Sequence, residues 1–175
     1  MENPWDDIGD LQPEMENPIN IVKELFTPIY EKTNEKVIYK LDQVNFFPEE
    51  VKNLSAGIDA AKSAALCNAI QQTLHPDFGY DPDKTKERQC LRYRLLLSPV
   101  KNETIEFELF KFKFSLFFYP VQFFIDYSRS KGLAGFVDET SKFVIANTEE
   151  DLYVIISTII RSDSTINLIK RLMVL

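Results

Sequence analysis

The chain has 175 residues, 45% of them hydrophobic, and a formal net charge of -7. That length fits one domain with or without a tail, and folding at this size buries roughly 70% of the extended chain's surface, so a core forms without staples. The negative field repels phosphate backbones, which argues against duplex nucleic acid as a partner and favours a basic protein surface, besides keeping the chain dispersed.

Residues 1–17, MENPWDDIGDLQPEMEN, read as a loosely structured acidic tail, with two prolines and little periodicity. Trp5, Ile8 and Leu11 recur at three-residue steps and can lay a short apolar face on the parent domain or on a partner. The start lacks the basic residues and apolar run of a secretory leader, and no apolar run reaches the ~18 to 20 residues of a membrane span, so a cytoplasmic protein is expected.

Asn17 before Pro18 reads as a helix start, with a cap oxygen ahead of a proline at the first helical position. Ile19, Val22, Phe26 and Ile29 with Tyr30 supply its apolar stripe. Pro28 lacks an N–H, which predicts a helix over 18–26 and then a break or kinked turn to about residue 33. Val37, Tyr39 and Leu41 alternate with Ile38, Lys40 and Asp42, which predicts a strand. Phe46 to Glu50 closes that strand and can open a helical turn. Leu54, Ile58, Ala61, Ala65 and Ala69 recur at helical steps, which predicts a helix over 54–74. His75 to Asp83 reads as a loop by its prolines and glycine.

Residues 91–125 concentrate the phenylalanines and alternate at period two, the pattern of an antiparallel sheet with one aromatic face. Leu91, Tyr93, Leu95 and Leu97 share one face; Arg92, Arg94 and Leu96 share the other. Further on, Ile105, Phe107 and Leu109 keep one phase, whereas Phe110, Phe112 and Phe114 keep the opposite one. A one-residue slip sends an apolar set to the wrong face, so the Leu109–Phe110 pair predicts either a β-bulge or a tight change of direction. Tyr119–Pro120 breaks the sheet, Val121 to Asp126 resumes it, and Phe143 to Ile145 adds a short strand. Asn147 or Thr148 followed by Glu149, Glu150 and Asp151 starts a helix with Leu152, Ile155, Ile156 and Ile159 inward. Ser162 to Ser164 ends it and caps another helix, whose Ile166, Ile169, Leu172 and Met173 continue the apolar face.

Sites are sparse. The single histidine, His75, has no oriented partner, and one His with Cys67 and Cys90 cannot form the usual zinc set; both cysteines read as small buried hydrophobes. Asp77, Asp81 and Asp83 lack the spacing and closing Glu of a calcium loop. With five glycines and no phosphate-loop pattern, a nucleotide cradle is not expected, and no cofactor or metal is assigned. The basic run Lys84, Lys86, Arg88, Arg92 and Arg94 reads as a solvated strand face that neutralises the chain's own acids.

The sequence therefore predicts an α+β domain over 18–175, with an antiparallel sheet of about four to six strands packed against helices. Its leading function is that of a non-enzymatic cytosolic binding or adaptor protein, in one form an acidic inhibitor or immunity-type partner of a basic protein. The contact residues would be Trp5, Asp6, Asp7, Asp77, Asp81 and Asp83. Two alternatives stand beside it: a small hydrolase or transferase using Glu49, Glu50, Asp77 and Asp81, and a homo-oligomer joined through an aromatic sheet face.

Overall fold

The computed structural model describes residues 15–45, 47, 48, 90–126, 128–138 and 143–175. The expected helix over 54–74 and the loop after it lie outside the described residues. Five strands form an antiparallel meander in the order β1-β2-β3-β4-β5: β1 Val37–Val44, β2 Cys90–Pro99, β3 Phe107–Ser115, β4 Val121–Phe124 and β5 Val144–Ala146. Among the described residues four α-helices accompany them: α1 Pro18–Phe26, α2 Ile29–Lys32, α3 Glu149–Arg161 and α4 Asp163–Leu172. The class is α+β, as the segregated strand patterns require.

Local chemistry explains the helix limits. Asn17 Oδ1 accepts from the Ile19 N–H at 3.0 Å, and Pro18 follows at the first helical position. The chain stays helical to Phe26, and α2 restarts beyond Pro28. The buried side of α1 is Ile21, Val22 and Phe26, whereas Ile19 is half-buried and Tyr30 is 40% exposed. Val22 and Phe26 of the expected stripe bury, Ile21 joins them in place of Ile19, and beyond the Pro28 break Tyr30 turns outward. At α3, Thr148 and Asp151 cap each other: the Asp151 N–H donates to Thr148 Oγ1 at 3.1 Å, and the Thr148 N–H donates to Asp151 Oδ2 at 3.2 Å. Ser162 ends α3 and caps α4, its Oγ accepting from the Thr165 N–H at 3.3 Å.

One face of the sheet meets the helices. Leu95, Leu97, Phe110, Phe112, Phe114, Val121 and Phe123 pack there against Ile21, Val22 and Phe26 of α1 and Leu152, Ile155, Ile156 and Ile159 of α3. The rings lean on each other, with centroids 5.6 Å apart for both Tyr93–Phe112 and Phe110–Phe123. Phe110, Phe112, Phe114 and Phe123 are therefore packing between the pleated layer and its helical cover.

The slip in β3 is a bulge. Leu95 pairs with Phe110, and its neighbour Leu96 pairs with Glu108, so Leu109 is the extra residue. Both Leu109 and Phe110 are 1% exposed, because the additional residue returns the strand to the inward phase. The carbonyl of Leu109 accepts from Arg129 Nη1 at 3.4 Å. The alternative of two separate strands is excluded, since pairing continues on both sides of the bulge.

On α4 the expected stripe is only partly inward. Leu172 and Thr165 are buried, but Ile166 is 38% exposed, and Ile169 and Met173 are half-buried. The axes of α3 and α4 differ by 58°, which swings this stripe away from the sheet.

Candidate functional site

Both helix breaks fall at the same end of the helical layer. Pro28 redirects the chain into α2, and Ser162 redirects it into α4. The two short continuations leave a groove of about 510 Å³ between them. Its floor is apolar: Leu25, Phe26, Ile29, Ile160, Ile169 and Met173, with Ile166 on the lip. The polar groups in the floor are engaged internally. Thr33 Oγ1 donates to the Ile29 carbonyl at 2.8 Å and accepts from the Val37 N–H at 3.1 Å, and Thr165 Oγ1 accepts from Ser162 Oγ at 3.0 Å.

Lys32, Arg161 and Lys170 stand around this floor, all exposed. None of the three forms an ion pair among the described residues. Each sits in the last turn of its helix, where a cation complements the carbonyl end of the dipole. The dipoles explain the three positions one by one; they do not require the three charges to converge on one apolar groove. The other end of the layer is acidic, with Glu149, Glu150 and Asp151 opening α3, and Glu16 donating its backbone N–H to Glu149 Oε1 at 2.6 Å. There Tyr153 donates to Glu24 Oε2 at 2.8 Å. That bond to a carboxylate, with burial second, pushes the phenol up to about 12. Burial, then the charges of Glu149 and Glu16, raise Tyr119 as well.

A second concavity, also about 510 Å³, lies on the sheet beside β4, with Glu108, Lys111, Phe124, Asp126 and Phe143 in its wall. Its carboxylates are already matched: Glu108 to Lys111 at 3.3 Å, and Asp126 to Arg129 at 2.8 Å. Lys111 Nζ also lies 5.6 Å from the Phe47 ring centroid, and Phe124 packs between Phe47 and Phe143 at 4.9 and 4.8 Å. The helix-averted face does carry cations, with Arg92 opposite Lys113 and Arg94 opposite Lys111. The expectation of a solvated basic strand face needs correction at Arg92, which is 2% exposed and donates to the Cys90 carbonyl at 3.2 Å. It sits on an inner strand between Val44 and Lys113. Arg94 donates to Asp42 Oδ2 at 3.1 Å.

The residues singled out in the sequence, Trp5, Asp6, Asp7, Asp77, Asp81 and Asp83, lie outside the described residues, as do Glu49, Glu50, Cys67 and His75. Among the described residues no group of three or more His, Cys, Asp or Glu side chains is placed to hold a metal. No single helix among them is long and apolar enough to cross a membrane. Of the rings that motivate the oligomer reading, Phe110, Phe112, Phe114 and Phe123 are covered by helices, whereas Phe117 is 84% exposed at the β3–β4 turn and Phe124 lines the sheet concavity. Sequence reasoning missed the groove residues. The available signal was a cation closely following or preceding each helix break, with more apolar residues on α4 than one face can bury. No family model, curated protein or solved structure matches this chain.

Proposed function

We propose that this chain is a binding protein whose recognition element is the groove between α2 and α4. The observation that carries the reading is an apolar floor ringed by Lys32, Arg161 and Lys170, three cations without ion-pair partners among the described residues, in a chain of net charge -7. An apolar trough between helices suits an amphipathic segment inserting residues at i, i+3 or i+4 and i+7. The cations select a partner whose flanks are acidic, and they steer it toward the groove. An acidic inhibitor of a basic protein is the second reading, favoured by the net charge.

Two labelled helical peptides separate these readings, both with leucines at the anchor positions, one with Glu and the other with Lys elsewhere. The Glu peptide is expected to bind, more weakly as salt screens the rim. Ile166→Glu is expected to weaken it at least about tenfold, or about 1.4 kcal/mol. Preference for the Lys peptide selects the second reading. Equal binding of both, binding of neither, or indifference to Ile166→Glu contradicts the groove assignment.

A further inference from the structure

We infer that the groove takes the β3–β4 turn of a second copy of this chain, so that the molecule associates with itself through Leu116 and Phe117; the inference rests on the groove being the recognition element. The turn is built to show these side chains. Ser115 Oγ accepts from the Phe117 N–H at 3.2 Å, and the Ser115 carbonyl accepts from the Phe118 N–H at 3.0 Å. Phe118 lies at a φ of 68°, a left-handed backbone that bulky residues rarely adopt. Its ring stays against Phe114, with centroids 6.2 Å apart. Phe117 is left 84% exposed and Leu116 45% exposed.

One copy cannot fill its own groove, because turn and groove lie at opposite ends of the helical layer. Phe26 lines the groove, and Phe110 packs on it with centroids 6.0 Å apart. From Phe110, β3 runs on to Ser115, which takes the turn about 17 Å away at 3.3 Å per residue. The turn end carries acids. Val121 pairs with Ala146, just ahead of Glu149 and Glu150 at the start of α3. The Tyr119 phenol, raised first by burial, is raised further by Glu149 and Glu16, so these acids lie beside the turn. The groove end carries Lys32, Arg161 and Lys170. An apolar knob beside acids thus matches an apolar trough beside cations, and a second copy makes both matches together. Knob and trough are different surfaces, so the contact is heterologous. Two anchors bury little area, which makes the association weak, with a Kd on the order of 0.1 mM.

Static light scattering of the full chain over a concentration series tests this. The average mass should climb above that of one chain as the concentration passes about 0.1 mM, and climb less when salt screens the charges. Phe117→Ser and, separately, Ile166→Glu should each weaken the association at least about tenfold. Both positions are exposed, so the fold tolerates the changes, and far-ultraviolet circular dichroism checks that it does. An equal mixture of the two variants should recover dimers, because one supplies an intact groove and the other an intact turn. A chain still monomeric at about 1 mM overturns the inference. So does association that Phe117→Ser or added salt leaves untouched, or a mixture no more associated than its parts. The Glu-flanked helical peptide should dissolve the association by taking the groove; peptide bound without that effect also overturns the inference. If the peptide binds and the chain stays monomeric, the groove reading stands and the inference falls. If the mixture recovers dimers and no peptide binds, the inference stands and the helical-partner reading falls.

Discussion

Removing Leu109 altogether should cost this protein no more than trimming its side chain. In β3, Phe110 pairs with Leu95 and Glu108 with Leu96, and Leu109 is the residue without a slot. Deletion leaves Phe107, Glu108, Phe110 and Lys111 in unbroken alternation, with Phe107 still opposite Leu97 and Phe110 still opposite Leu95. No side chain changes face. What is lost is the Leu109 side chain, 1% exposed, and trimming a buried Leu to Ala costs about 2–5 kcal/mol. A restored ladder hydrogen bond returns about 1 kcal/mol, set against the lost bend of the strand. Leu109→Ala and the deletion are therefore expected to lie within about 1 kcal/mol of each other. In urea, a loss of about 3 kcal/mol at ~2 kcal/mol per M lowers both midpoints by about 1.5 M with little change of slope. If the deletion unfolds the protein while Leu109→Ala does not, Leu109 is a paired strand residue. Removing a paired residue reverses every side chain beyond it, and the reasoning about the phase slip fails.

The capping pair at α3 gives a smaller effect: Thr148→Ala removes one half of a reciprocal cap and should cost about 1 kcal/mol, and a midpoint unchanged in urea counts against the cap. Phe112→Ala should cost about 3–5 kcal/mol because the ring is fully buried, whereas Phe117→Ser, at 84% exposed, should stay within about 0.5 kcal/mol; equal losses would contradict the assignment of faces. Tyr153 should titrate at about 12 in the phenolate absorbance difference between this chain and Tyr153→Phe, and Glu24→Gln should bring that value down toward 10. A raised folded value means the contribution is complete below the unfolded value of about 10 and disappears as pH rises through about 12. An ordinary titration near 10 would show that the bond to Glu24 is not held in solution.

Features written in neighbouring residues were legible in advance. Asn17 with Pro18, Pro28, and Thr148 with its acids mark helix ends because caps and prolines act within a few positions. The Leu109–Phe110 slip announced an irregularity because alternation has a fixed period, but whether it was a bulge or a turn awaited the pairing. On α1 the inward Val22 and Phe26 were legible and Ile21 was missed, whereas the extent of burial on α4 was misjudged, since it depends on where a broken helix points after its break. The burial of Arg92 was invisible too, because alternation assigns it and Arg94 to one face alike, while what covers one and not the other is set by tertiary packing. The groove was the least legible. It joins Lys32 and Ile29 to Ile166 and Lys170, and only the packing of α1 beside α3 brings the two helix breaks to one end.

The most direct test of the groove assignment is a residue-resolved amide titration of the isotope-labelled full chain with the Glu-flanked helical peptide. The expected shifts cluster at Ile29, Lys32, Ile166, Ile169 and Lys170, with Lys111, Asp126 and Phe143 on the sheet unmoved. Shifts confined to the sheet concavity, or absent when the peptide is in large excess, would contradict it.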